Sequence, residues 1–268
     1  MSVGHYENFP VASLLLPRPL RDPVGVIYRF ARAADDFADE GNDPPQQRIA
    51  RLDGFRLQLE GISRGEKTKD PLFAGLGSMV REHDLPLQLF HDLLDAFTQD
   101  VVKNRYADYA EVLDYCRRSA NPVGRLLLHL FKRTNETTLK QSDCVCSALQ
   151  LINFWQDIDI DYSARDRVYL PQEDMRRFGV GESHLSEKRC DSAWRDLVAF
   201  QCGRARQLML QGAPLLDALQ GRLRFEIALT IQGGLRILEK LTHGNYDVFR
   251  RRPVLQWFDW PLLLLRAA

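Results

Sequence analysis

The chain has 268 residues, enough for one large domain or two small ones and for a deep interior. Hydrophobic residues make up 45% and charged residues 27%, a balance typical of globular proteins that excludes a disordered or fibrous chain. Lysine plus arginine and aspartate plus glutamate each number 36, so the net charge is zero. The composition therefore gives no general attraction to nucleic acid, and we expect no nucleic-acid partner.

The cysteine pattern and the N-terminal residues predict the cellular compartment of the protein. The five cysteines have no C-x-x-C spacing, and an odd number cannot all pair within one chain, which favours a reducing cytosol. No charged segment followed by a long apolar core opens the chain, so we expect no signal peptide. The longest apolar runs, such as Pro261 to Leu265, are far shorter than the roughly 20 residues of a membrane span. We therefore expect a soluble, cytoplasmic protein.

Apolar residues recur at helical spacing nearly throughout, and alternating β-branched runs are almost absent. The first helix is predicted over 23–40 and ends at the turn-forming residues 41–45. The other predicted helices are 46–60, 71–82, 86–103, 108–133 with an interruption near Asn121-Pro122, 136–162, 187–212 and 221–243. No repeat, composition shift or linker divides the chain. We predict one all-α domain over residues 1–268, with an irregular segment at 163–186.

Two pairs of aspartates share one spacing on predicted helices. Asp35 and Asp39 are four residues apart on the first helix, and Asp157 and Asp161 repeat the arrangement in a later one. Side chains four apart lie on the same helix face. Carboxylate oxygens suit Mg2+, which proteins often share with substrate phosphates. The spacing alone is weak evidence for a metal site, because chance gives about two such pairs in a chain of this composition. The alternative is an acidic helix face exposed to solvent.

The residues beside these pairs strengthen the metal hypothesis. Tyr28 and Arg32 extend the first pair into a stripe with spacings of 4, 3 and 4. Gln150 and Asn153 extend the second pair with spacings of 3, 4 and 4. Apolar residues flank both stripes, which indicates polar faces turned inward. Burying several carboxylates without cations is costly, so metal ions are the natural counter-charge.

The stripes Y-x-x-x-R-x-x-D-x-x-x-D and Q-x-x-N-x-x-x-D-x-x-x-D resemble the two signature motifs of squalene and phytoene synthases. Further segments that resemble this family are Tyr115-Cys116, Ala120 to Gly124, Arg167 to Pro171 and Asn245-Tyr246. Three more segments are similar to the family's bacterial hydroxysqualene synthase branch, which acts in the hopanoid route to squalene. They are His5 to Ser13, Ile27 to Asp36 and Asn153 to Asp157. The resemblance runs from His5 to about Arg252. It implies the all-α isoprenoid-synthase fold, a helical bundle around a central apolar cavity.

The resemblance also implies a substrate, a metal and a set of binding residues. The substrate is presqualene diphosphate, and Asp35, Asp39, Asp157 and Asp161 hold Mg2+, with Mn2+ as an alternative. The implied substrate-binding residues are His5, Asn8, Gln150, Asn153, Arg165, Arg167 and Tyr169. Lys188 is a further candidate for the diphosphate. Because this branch captures its carbocation with water rather than hydride, we expect no NADPH.

The implied catalytic residues are Tyr28, Arg32, Tyr115 and Asn121. Arg32 is a direct phosphate partner, since arginine offers bidentate donors. Tyr115 lies near the reacting carbons in the family, where it shuttles a proton or stabilises positive charge; the alternative is a packed core tyrosine. We hypothesise that Pro122 kinks the helix and that Asn121 positions the attacking water.

Alternatives to this activity stay open. The nearest is presqualene diphosphate or phytoene synthesis, a prenyl transfer, and a minor one is a non-catalytic scaffold derived from the family. Gln156 stands where relatives often have arginine, which argues against handling two diphosphates at once. Gly233-Gly234 either opens room for a C30 chain or allows close helix packing. The implied pathway neighbours are a presqualene diphosphate synthase and a flavin-dependent reductase, and Trp257, Phe258 and Trp260 either join the core or touch a membrane.

Overall fold

The computed structural model describes residues 18–39 and 43–268. Within these residues the regular structure is helical, apart from an isolated parallel bridge between Arg105 and Val168. The α-helices are α1 Arg18–Asp39, α2 Pro45–Ser63, α3 Pro71–His83, α4 Gln88–Val102, α5 Tyr109–Ser119, α6 Asn121–Leu130, α7 Glu136–Arg165, α8 Gln172–Arg177, α9 Glu182–Ser186, α10 Ser192–Gly212, α11 Leu215–Ala218, α12 Gly221–His243 and α13 Trp260–Ala267. A short 3-10 helix, Trp257–Asp259, precedes α13. The all-α prediction is confirmed.

Several helix boundaries differ from those predicted. The described part of helix α1 runs from Arg18 to Asp39, so the helix includes at least five residues before the predicted start, and Pro23 lies inside it. Helix α10 begins at Ser192 rather than at residue 187, because the Asp191 side chain caps it by accepting a hydrogen bond from the Trp194 N–H at 3.0 Å. The segment predicted as irregular contains the short helices α8 and α9.

The predicted interruption at Asn121-Pro122 is a break between two helices. Helix α5 ends at Ser119 and α6 starts at Asn121, with Pro122 in its first turn. The first N–H groups of a helix have no intrahelical partner, so proline costs little there. Pro122 therefore starts a new helix, and the idea that it kinks a continuous one is wrong.

The described residues divide into two compact units. The first comprises the described residues up to Lys103 together with Arg117–Leu139. Its core is aromatic: the Phe30 ring meets Phe73 edge-on at 6.1 Å and Phe90 edge-on at 5.2 Å between centroids. Such edge-to-face pairs add to the stabilisation from burial. They fix the face that α1 turns to the core, and so the face that carries its polar stripe.

The second unit comprises Asn104–Cys116 and Lys140–Ala268. Here α7 packs closely against α10 and α12 at two glycines. A Cβ atom on Gly212 would lie 2.7 Å from the Gln141 backbone oxygen. One on Gly234 would lie 2.8 Å from Met209 Cε and 3.1 Å from Leu149 Cδ2. Close helix packing therefore accounts for Gly234, rather than room left for a ligand.

The end of the chain folds back on α12. Asp259 is buried and forms ion pairs with Arg236 at 2.8 Å and with Lys240. Helix α13 packs Leu263 and Ala267 inward. Across the described ranges, no helix combines the length and apolarity needed to cross a membrane.

Candidate active site

The first stripe lies on α1, half-buried at the surface of the first unit. Arg32 Nη1 lies 3.4 Å from Asp35 Oδ2, and Arg32 Nη2 lies 2.8 Å from Asp36 Oδ1. A pocket of about 550 Å3 opens here; its lining residues are Val26, Tyr28, Arg29, Arg32, Ala33, Asp36, Pro71 and Leu72. The structure therefore brings Tyr28 and Arg32 together, and it adds Asp36, which the spacing argument passed over.

Three of the predicted site residues lie wholly or partly outside the described part of the chain. Asp39 is the last residue of α1, but its side chain lies outside the described part of the chain. His5 and Asn8 also lie outside the described residues. Their roles stay predictions.

The second stripe lies on α7 in the second unit. Arg252 binds Asp157 through both carboxylate oxygens, with Nη2 3.0 Å from Oδ2 and Nε against Oδ1. The side chains are 31% and 23% exposed, so this bidentate pair is partly shielded from water. Sequence reasoning did not assign Arg252 a role, although the run of three arginines at 250–252 was a visible signal.

One turn further along α7, a second arginine faces the second carboxylate. Arg165 Nη1 lies 3.3 Å from Asp161 Oδ1, and the Asp161 side chain is only 12% exposed. Asp159, between the two stripe residues, pairs with Lys188 at 2.8 Å. Each of the three carboxylates at this end of α7 therefore has its own cationic partner, and Lys188 is engaged by Asp159 rather than by the stripe.

The amides of α7 fall into two environments. Gln150 and Asn153 are half-buried on the same face as the carboxylates, as predicted. Gln156 is 2% exposed, and its Nε2 donates to the Pro253 carbonyl at 2.5 Å. Because Pro253 follows Arg252, this hydrogen bond helps to hold the arginine beside Asp157.

A buried aromatic cluster adjoins the second stripe. The rings of Phe154 and Tyr169 stack at 3.6 Å with an interplanar angle of 10°. Tyr115 is 4% exposed, and its centroid lies 5.7 Å from that of Tyr169 and 5.8 Å from that of Tyr106. The Tyr169 hydroxyl accepts a hydrogen bond from Arg167 Nη1 at 3.2 Å. Tyr115, Arg167 and Tyr169, chosen separately from the sequence, thus meet in one place.

The loop that carries Arg167 and Tyr169 is fixed by Arg105. Its guanidinium donates to Asp166 Oδ1 at 2.7 Å and to Glu182 Oε1 at 2.7 Å. Hydrogen bonding from Arg105 lowers the pKa of both carboxyl groups below their ordinary values. Both stay ionised at neutral pH, which keeps the loop beside α7.

Asn121, predicted to hold the water, belongs to the first unit. It is 6% exposed in the first turn of α6. Its side chain is thus removed from bulk solvent, as a residue that orders a single water needs to be.

The chemistry of the donors allows a test of the metal hypothesis. In the described residues, no three His, Cys, Asp or Glu side chains are grouped so that they could hold a metal ion. The stripe on α7 supplies oxygen ligands alone, from carboxylates and amides, and its two carboxylates already attract guanidinium groups. Such a donor set fits a hard divalent cation and not a thiolate- or imidazole-bound metal.

Comparison with known proteins identifies the family of the chain. A profile of the squalene/phytoene synthase family matches residues 3–259. Hydroxysqualene synthase of Zymomonas mobilis is 35% identical over 89% of this chain and 79% of the relative. The 15-cis-phytoene synthase of Synechococcus elongatus is 29% identical over 100% of this chain and 91% of the relative. The crystal structure of squalene synthase HpnC from Alicyclobacillus acidocaldarius superposes with a TM-score of 0.83 at 35% identity, covering 90% of each chain. Because the family profile matches nearly the whole length, the chain belongs to the squalene/phytoene synthase family.

Proposed function

We propose that the protein is a hydroxysqualene synthase that converts presqualene diphosphate and water into hydroxysqualene and diphosphate. The observation that carries the proposal is the α7 stripe, where two carboxylates and their arginines lie beside the buried aromatic cluster. Guanidinium groups and carboxylates that would hold a divalent cation, next to an aromatic interior, suit a substrate with a diphosphate head and a hydrocarbon body. The relatives named hydroxysqualene synthase support the choice within the family.

The reaction breaks one carbon–oxygen bond, and the leaving diphosphate takes the electron pair. The cyclopropylcarbinyl cation rearranges to an allylic cation, to which water adds before it loses a proton. Atoms and electrons balance without a reductant. The proposal therefore assigns no role to NADPH.

The arginines of the site bind the diphosphate in this proposal. Arg32 on α1 and Arg165 and Arg252 at α7 offer guanidinium groups, whose planar pairs of donors match phosphate oxygens. Asp35, Asp39, Asp157 and Asp161 are the residues that would hold Mg2+ or Mn2+, with Gln150 and Asn153 beside the second pair. Such a cation, when bound, supplies positive charge that stabilises the diphosphate as it leaves.

The aromatic cluster protects the carbocation. The faces of Tyr115, Phe154 and Tyr169 carry negative electrostatic potential, which stabilises a nearby cation without attacking it. Arg167 donates to the Tyr169 hydroxyl at 3.2 Å and so orients that ring. Asn121 is proposed to order the water that ends the reaction.

Head-to-head condensation of two prenyl diphosphates is the alternative, and the phytoene synthase relative that covers the whole chain favours it. The test is to incubate purified protein with Mg2+, without NADPH, giving it presqualene diphosphate in one tube and farnesyl diphosphate in another. Products are identified by mass spectrometry. Hydroxysqualene from the first tube alone supports the proposal, whereas presqualene diphosphate from the second assigns the condensation step instead.

Variants connect either activity to the α7 stripe. We expect Asp157→Asn and Asp161→Asn each to lower kcat by about 100-fold or more, because each removes a carboxylate that would hold the cation whose positive charge stabilises the leaving diphosphate. Asp196→Asn is the matched control, since this carboxylate is exposed on α10. Equal activity of all three variants would refute the assignment.

A further inference from the structure

Two charged residues close to the ends of α7 and α9 have a left-handed backbone conformation. Asp166 follows α7 with a φ of 50°, and Lys188 lies two residues after α9 with a φ of 51°. Glycine is the usual residue where a chain turns out of a helix in this way, because a Cβ atom makes the conformation unfavourable. A charged side chain kept at such a position is explained if it makes a contact that glycine could not make.

Asp166 is joined through an arginine to the segment 181–191, which we call the strap. Arg105 donates to Asp166 Oδ1 at 2.7 Å. The same guanidinium binds both carboxylate oxygens of Glu182, with Nε 2.7 Å from Oε1 and Nη2 3.1 Å from Oε2. Because Glu182 stands near the start of the strap, the strap holds the loop 166–169 at its first residue.

The other end of the strap holds α7 itself. Lys188 Nζ lies 2.8 Å from Asp159 Oδ2, and the two side chains are 53% and 22% exposed. Asp159 is two residues away from both Asp157 and Asp161, so on a helix it points away from the face that carries them. Lys188 therefore binds α7 on the side opposite the stripe.

His184 connects the two ends of the strap. It is 4% exposed, and its Nδ1 accepts hydrogen bonds from the Gly181 N–H and from Arg189 Nη2, both at 3.2 Å. Its Nε2 lies 3.3 Å from Asp191 Oδ2, and the other oxygen of Asp191 caps α10. Since one buried ring bonds to both ends of the segment, the two ion-pairing side chains of the strap keep a fixed separation.

We propose that Glu182 and Lys188 are positioning residues of the active site. By binding the loop and α7 from one rigid segment, they fix where Arg167 and Tyr169 stand relative to the carboxylates of the α7 stripe. Each acts through its ion-pair partner and not on the ligand. A loop that is ordered in advance loses less freedom when a ligand binds, so the strap strengthens ligand binding. The inference rests on the proposed function only in taking the ligand to carry a diphosphate.

The left-handed backbone allows positioning to be separated from stability. Lys188→Gly removes an exposed ion pair, which contributes little to stability, and relieves the backbone, so its Tm should equal or exceed that of wild type. Lys132→Gly is the matched control, because Lys132 is an exposed lysine with a φ of 53° after α6. Lys188→Arg keeps the charge and should behave as wild type. Glu182→Gln weakens the other ion pair without changing the size of the side chain.

Hydrogen exchange follows the loop in the absence of any ligand. The Val168 N–H donates to the Asn104 carbonyl at 2.9 Å, so its exchange rate reports whether the loop stays in place. We expect exchange at residues 167–169 to be about tenfold faster in Lys188→Gly and in Glu182→Gln. The rates in Lys188→Arg and Lys132→Gly should equal those of wild type.

Calorimetry with inorganic pyrophosphate and Mg2+ measures the consequence for binding. We expect about fivefold weaker binding in Lys188→Gly and in Glu182→Gln, because the loop must then be ordered at the expense of binding. Lys188→Arg should restore the wild-type affinity, and Lys132→Gly should not change it. A lysine with a purely structural role would instead lower Tm when it is replaced.

Pyrophosphate binding that is unchanged in Lys188→Gly and Glu182→Gln overturns the proposal. Weaker binding with unchanged exchange at 167–169 also overturns it, and makes Lys188 a direct partner of the diphosphate. A lower Tm in Lys188→Gly, with faster exchange throughout the protein, assigns the strap to stability alone. Neither readout uses turnover, so a chain that passes both but forms another prenyl product contradicts the proposed function and leaves the positioning role intact.

Discussion

Replacing Gly212 with alanine places a methyl group against α7, the helix that carries Asp157 and Asp161. The new Cβ would lie 2.6 Å from Val145 Cγ2, 2.7 Å from the Gln141 oxygen and 2.8 Å from the Val145 nitrogen. Two of these atoms belong to the backbone, so no side-chain rotation relieves the overlap. Helix α10 must move away from α7.

The size of the effect follows from two opposing contributions. Overpacking of this kind costs about 3 kcal/mol when backbone must shift, at the upper end of the usual range. Alanine favours the helical conformation over glycine by up to about 1 kcal/mol, so the free energy of unfolding falls by about 2 kcal/mol in total. In a protein of this size that lowers Tm by roughly 4–8 °C.

The same helix supplies the control. Gly203 lies in α10, and a Cβ there would meet nothing within 4 Å. Gly203→Ala should therefore raise the free energy of unfolding by about 0.5–1 kcal/mol. Thermal unfolding followed by circular dichroism, with urea unfolding beside it, measures both variants. Gly212→Ala melting at or above the wild-type temperature would show that α10 and α7 do not approach this closely.

Arg252→Met leaves the Asp157 carboxylate without its bidentate partner, and we expect a loss of about 2 kcal/mol of unfolding free energy, measured by urea titration. Added Mg2+ should raise Tm more in this variant than in wild type; equal shifts would contradict competition between the arginine and the cation. Burial alone would raise the pKa of Asp259, but hydrogen bonds from Lys240 and neighbouring donors lower it to about 2. A lowered pKa stabilises the fold above the unfolded value near 4, so the destabilisation by Asp259→Asn should be about 2 kcal/mol at pH 7 and shrink as the pH falls toward 2. Asn121→Ala should change the ratio of products formed from presqualene diphosphate; an unchanged ratio removes its proposed role with water.

Site residues that share one face of a single helix could be predicted from the sequence. The spacing of Gln150, Asn153, Asp157 and Asp161 specifies one face of a helix, and the structure places them on α7 as expected. Helical periodicity depends only on residues close together in the chain, so it can be recognised without knowledge of the fold.

Contacts between distant segments could not be predicted in this way. Arg252 reaches Asp157 across 95 residues from a stretch without helical periodicity, and no spacing rule connects them. Helical periodicity places the start of α10 five residues early, because it does not register the capping side chain of Asp191. The exposure of Trp257, Phe258 and Trp260 could not be predicted either, since four leucines after two tryptophans suit a core as well as an exposed surface until the packing of α12 is known.

The arginines beside the α7 carboxylates change what metal binding means for this protein. Asp157 and Asp161 are each paired with an arginine, so a divalent cation bound there would have to exchange with guanidinium groups and would not meet a bare acidic face. The energy needed to release Arg252 and Arg165 would lower the affinity for the cation alone. A diphosphate would give the released arginines a new partner and remove that penalty, so each ligand would strengthen the binding of the other by the same factor. A protein built in this way would discriminate against free metal and respond to metal and substrate together.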